Sequence, residues 1–140
     1  MYVRAVLIPV FIQILLTFVL MIWMAVVRRR ALSSRAVQES DIALNTQNWP
    51  APALQIANAF RNQFELPILF YVLCILAIIT RQADYLFVVL AWLFVFFRLV
   101  HAAIHTTYNR VMHRSLAFAA GCFVLMLNWL IFAIDLLIGV

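Results

Sequence analysis

The feature that most limits the fold of this chain is an uninterrupted apolar run, 5-AVLIPVFIQILLTFVLMIWMAVV-27, followed directly by 28-RRR-30. A run this long, with no charged residue, spans the ~30 Å of a bilayer core as a helix, because only a helix or a closed barrel satisfies every backbone N–H and C=O away from water. It is too long for the apolar part of a signal peptide, and no small-residue cleavage site follows it, so it reads as an uncleaved first span. Pro9 lies near its start, where a helix tolerates proline best.

Three further apolar runs follow the same logic. The spans are expected at about 5–27, 53–80, 85–108 and 114–139 of a single domain covering 1–140, with a polar loop at 28–52 that ends in Pro50 and Pro52. The connections 81-RQAD-84 and 109-NRVMH-113 are short, which makes neighbouring helices antiparallel. The expected fold is therefore an all-α membrane protein, a four-transmembrane-helix up-down bundle. A membrane barrel is excluded because its strands alternate apolar and polar residues and these runs do not.

Composition agrees: 68% of the residues are hydrophobic and 11% are charged, against about 25% charged in soluble domains. The net charge of +5 comes with ten basic residues, all of them arginine. They form no exposed stripe, so the sequence offers no nucleic-acid surface. Arginine counting orients the bundle. Arg28, Arg29, Arg30, Arg35, Arg110 and Arg114 fall on the side of the first and third loops, and Arg4 and Arg81 on the other. The expected placement is an integral multi-pass protein of a bacterial inner membrane, with the first and third loops cytoplasmic and both termini on the non-cytoplasmic side. Cys74 and Cys122 lie in apolar runs without CxxC spacing and read as small hydrophobes.

Polar residues concentrate at the start of the second span, in 60-FRNQFELPILFY-71. An ionised group at the bilayer centre costs about 2.5–3.5 kcal/mol on insertion scales, so these groups lie at the rim or have partners. Counting ~1.5 Å per residue places Glu65 about 8 Å inside the cytoplasmic boundary and Arg98 about 10 Å inside it. An acid and a base at matching depth are expected to pair. Asn58, Arg61, Asn62 and Glu65 follow i, i+3, i+4, i+7 spacing, and so share one helical face if the helix continues. Arg98, His101 and His105 share a face of the third span, and Arg110, His113, Arg114 and Ser115 open the fourth. Three polar faces thus converge at the cytoplasmic ends of three helices, more than helix packing requires. The arrangement suits an anionic or zwitterionic ligand. His101-x-x-x-His105 also has helical metal-ligand spacing, but the neighbouring arginines oppose a cation, and no metal site is expected.

These residues resemble a known family, the membrane-associated proteins in eicosanoid and glutathione metabolism (MAPEG). The resemblance covers nearly the whole chain. It rests on 61-RNQFELP-67, similar to an Arg-Asn-x-x-Glu pattern, on 98-RLVHAAIH-105, similar to an Arg-x-x-His pattern, and on 114-RS-115, an Arg-Ser pair at the matching spacing. It implies a homotrimer that holds glutathione as co-substrate at subunit interfaces near the cytoplasmic face. By that resemblance Arg28, Arg61 and Arg98 hold carboxylates and Glu65 takes the ammonium. Asn62, His101 and His105 complete the polar contacts, Arg114 stands beside the sulfur and Ser115 bonds the thiolate or the second substrate. A lipophilic electrophile or hydroperoxide would enter from the lipid side. Asn58, His105 and Phe118 depart from residues common in the eicosanoid branches, which points to a divergent bacterial-type member. The other functional class is a non-catalytic membrane scaffold or accessory subunit with the same fold. A transporter fits less well, because the chain lacks paired, Gly/Pro-interrupted half-helices.

Overall fold

The computed structural model describes residues 3–139, and every regular element among them is helical. Helix α1 spans Val3–Ser33, longer than the apolar run, because the arginines after Val27 continue it and Arg30 in its last turn suits the negative end of the helix dipole. It closes with Ala36 N–H donating to the Ala31 carbonyl and Arg35 N–H to that of Leu32, Arg35 taking the left-handed conformation at φ 58°.

The loop that follows is not featureless. It contains a one-turn helix, α2, at Glu39–Ile42, and a 3₁₀ turn at Thr46–Asn48. Its own side chains shape it. Asp41 accepts from Gln38 N–H at 3.1 Å, Asn48 donates to the Asp41 carbonyl at 2.7 Å and Asn45 accepts from Gln47 N–H at 2.9 Å.

The second span is two helices rather than one: α3 at Ala51–Asn62 and α4 at Leu66–Ile79. Helices α5, Tyr85–Thr106, and α6, Val111–Ile138, complete the four candidate membrane crossings. Asp84 caps α5, its carboxylate accepting from Phe87 N–H at 2.7 Å. Gln55 of α3 donates to the carbonyls of His105 and Thr107 at 2.8 and 3.0 Å, which fixes the start of α3 beside the end of α5. The 34–50 loop and the 107–110 connection therefore share one end of the bundle.

The apolar core lies between α4, α5 and α6, with Val6 of α1 closing one side, Phe70 and Phe94 in ring contact at 4.7 Å and Leu73, Ala77, Ala91, Val95 and Leu125 around them. Nearer the polar end, α1, α3 and α5 approach closely through Ala53, Ala57, Ala59 and Ala102, all buried. Small residues let helix backbones come together where lipid supplies no hydrophobic drive. Outward faces are apolar: on α1, Ile8, Phe11, Leu15, Phe18, Ile22 and Val26 are exposed at helical spacing, as an integral multi-pass membrane protein requires.

Candidate functional site

The site is built around a break in the second span. Pro67 has no N–H to give the Gln63 carbonyl, its ring crowds that carbonyl, and it disfavours helical geometry at the preceding residue. The chain answers with a short 3₁₀-type passage. Gln63, Phe64 and Glu65 each donate three residues back, to Phe60, Arg61 and Asn62, and Glu65 leaves the helical region at φ −100°, ψ −107°. The i, i+7 relation between Asn58 and Glu65 does not survive, so the expectation of one continuous polar face over 58–65 is corrected at Glu65.

Within the break the main-chain carbonyl of Asn62 accepts from Glu65 N–H at 3.3 Å and also from Arg98 of α5. The Arg98 guanidinium donates through Nη2 to Asn62 Oδ1 at 2.5 Å and to the Asn62 carbonyl at 3.4 Å. Asn62 Nδ2 in turn donates to Glu65 Oε2 at 2.9 Å. The expected direct pairing of Glu65 with Arg98 is thus corrected: Asn62 stands between acid and base, its amide oxygen facing the cation and its amide nitrogen the anion. Arg98 is only 1% exposed, the largest of the fully buried side chains.

A cavity of about 290 Å³ opens beside this relay, lined by Asn62, Glu65, His101, Arg114, Ser115 and Phe118. His101 packs edge-on against His105, ring centres 5.5 Å apart, and against Phe118 at 5.8 Å. Arg114, half-buried, donates to Asn109 Oδ1 at 2.6 Å. Arg98 Nε and Nη1 and the Nδ1 atoms of His101 and His105 are buried and make no hydrogen bond within the chain. Buried polar groups almost always have partners, so this concentration of unpartnered nitrogens marks a place suited to polar ligand atoms. Among the described residues no group of three or more His, Cys, Asp or Glu is placed to hold a metal ion.

Of the residues singled out from sequence, Asn62, Glu65, His101, Arg114 and Ser115 line the cavity and Arg98 backs it. His105 is buried behind His101. Arg61 is exposed on the last turn of α3, outside the cavity lining. Arg28 lies elsewhere, its guanidinium 4.9 Å over the ring of Trp49. Two residues escape spacing rules altogether: Gln13, fully buried in α1, donates to Gln63 Oε1 at 2.8 Å within the break. The signal for Gln13 is its isolation, an amide inside an otherwise apolar span.

No curated protein and no solved structure matches the chain. The description of the MAPEG family does match it over residues 6–134, and with four apolar helices carrying this site at one end of the bundle, the chain belongs to the MAPEG family.

Proposed function

We propose that this protein is a membrane-bound, glutathione-dependent transferase or peroxidase acting on lipophilic electrophiles or hydroperoxides. The observation that carries the reading is the set of unpartnered nitrogens on buried Arg98 and His101, beside a cavity that holds a carboxylate and a second arginine. Glutathione presents two carboxylates, an ammonium and a thiol, and the residues offer a complement for each. Arg98 and Arg61 hold carboxylates, which a planar guanidinium does with two parallel hydrogen bonds. Glu65 holds the ammonium, and Asn62, already polarised between Arg98 and Glu65, keeps that carboxylate oriented. His101 and His105 supply further polar contacts.

Arg114 contributes fixed positive charge at the cavity, which favours thiolate over thiol and so raises the fraction of the reactive form. The exposed Ser115 hydroxyl donates to the thiolate or to the second substrate. When bound, glutathione supplies the sulfur nucleophile or reductant, and the apolar helix faces give a lipophilic partner its approach from the bilayer. In this reading the active assembly is a homotrimer. Arg28, remote from the cavity of its own chain, reaches a carboxylate at the boundary with a neighbouring copy. The first and third loops face the cytoplasm of a bacterial inner membrane, with the termini on the other side.

Titration calorimetry of the purified protein in nanodiscs with glutathione tests this directly. Saturable binding with the ultraviolet absorbance of a thiolate is the expected result. No binding heat at millimolar glutathione would overturn the reading.

A further inference from the structure

The amide pair Gln13–Gln63 lies apart from the cavity yet touches the turn that shapes it. Gln63 is 2% exposed and sits inside the break, between Asn62 and Glu65. Its side chain is used at both ends: Oε1 accepts from Gln13 of α1 at 2.8 Å, and Nε2 donates to the Ala59 carbonyl at 3.1 Å. The turn itself is weakly held. Its backbone bonds are of the i to i−3 kind, with the Glu65 N–H at 3.3 Å from the Asn62 carbonyl, and Pro67 has removed the donor that would have continued the ladder. That same Asn62 carbonyl is one of the two acceptors for Arg98.

Stability alone does not account for the pair. Gln13 is completely buried, and its Oε1 has no hydrogen-bond partner. A half-satisfied amide deep in a membrane helix is a cost that two apolar side chains of similar size would remove. Helix α1 contributes no residue to the cavity lining, so this hydrogen bond is its polar link to the site.

We infer that Gln13 is a positioning residue: through Gln63 it holds the 63–65 turn so that the Asn62 carbonyl meets Arg98 and the Glu65 carboxylate faces the cavity. As a statement about ligand binding it rests on the glutathione reading above. As a statement about geometry it stands separately. A displaced turn moves two hydrogen-bonding groups of the relay at once, the Asn62 carbonyl and the Glu65 carboxylate, while leaving the apolar core between α4, α5 and α6 untouched.

The test compares Gln13→Leu with the double variant Gln13→Leu/Gln63→Leu, because the single change strands the Gln63 amide and can fail to fold. Three readouts are taken on full-length protein in nanodiscs. They are the melting temperature, the Arg98 guanidinium resonances in ¹⁵N-arginine-labelled protein (assigned by their loss in Arg98→Met), and the glutathione dissociation constant. The expected result for the double variant is a wild-type melting temperature with the slowly rotating Arg98 Nη signals lost and glutathione bound on the order of tenfold or more weakly. Recovery of the Arg98 signals and the affinity together with the melting temperature would overturn the inference, since the pair would then be structural only. If wild-type protein binds no glutathione, the functional reading falls, and the Arg98 resonances alone decide whether Gln13 positions the relay.

Discussion

Asn62 accepts the Arg98 guanidinium through both its side-chain oxygen, at 2.5 Å, and its main-chain carbonyl, at 3.4 Å. One residue therefore offsets much of the cost of a buried cation, with a main-chain carbonyl that Arg98 shares with the Glu65 N–H. Asn62→Ala removes the shorter contact and is expected to destabilise the bundle by about 2–4 kcal/mol, since a buried charge stripped of a partner is costly. Arg98→Met removes the charge together with the need for it and is expected to be near neutral or stabilising. Thermal unfolding in micelles separates the two. Equal destabilisation by both would mean that the guanidinium is a packing element rather than a ligand-binding group.

Arg114 and Glu65 line the same cavity but have different roles in the proposed chemistry. Arg114→Ala is expected to lower turnover by about 100-fold with little change in glutathione affinity, because fixed charge beside the reacting atom acts mainly on the transition state. Glu65→Ala is expected to weaken glutathione by on the order of tenfold, the weight of one charge-assisted hydrogen bond. Steady-state kinetics with a small apolar electrophile, alongside calorimetry, gives both quantities. A parallel loss of turnover and affinity in each variant would sink this division of labour.

What sequence makes legible here follows from where the helical ladder is continuous. The four crossings are visible because apolar length alone defines them. Arg98, His101 and His105 come together as spacing requires, since α5 runs unbroken through them. Glu65 meets Asn62 through a side-chain hydrogen bond but not through a helical register shared with Asn58, because the ladder stops after Asn62. The Gln13–Gln63 bond is a tertiary match between two spans, and no local period encodes it. Arg28 is likewise undetermined by pattern, as an arginine at a membrane rim is equally suited to a carboxylate and to the face of Trp49.

Pro67 is buried at the start of α4, and its missing N–H maintains the break. Pro67→Ala restores a donor for the Gln63 carbonyl and relieves the ring's clash with it, so the expected outcome is a more continuous helix. The variant should melt near or above the wild-type temperature, since alanine at this position removes the ring's crowding of the Gln63 carbonyl and restores a backbone donor. Amide exchange at Glu65 and Leu66 should slow as the turn becomes helical. Glutathione affinity should fall, because in a regular helix the Leu66 N–H takes the Asn62 carbonyl and competes with Arg98 for it. Retained affinity in a protein with a healed helix would show that the break is not required for binding.

The stacking of Arg28 on Trp49, at 4.9 Å, provides a spectroscopic report on whether Arg28 serves a ligand. A carboxylate held by the Arg28 guanidinium changes the charge next to the Trp49 ring, so a ligand that recruits Arg28 alters the environment of that indole. Glutathione is therefore expected to shift Trp49 emission saturably, with the dissociation constant found by calorimetry. The chain has four tryptophans, so the change must vanish in Trp49→Phe to be assigned. Arg28→Ala should abolish the shift and weaken binding on the order of tenfold, one charge-assisted contact. For the proposed homotrimer, native mass spectrometry should find three chains per particle. A monomer that binds glutathione with full affinity, its Trp49 emission unmoved, would remove Arg28 from the site and leave Arg61 and Arg98 as the carboxylate holders.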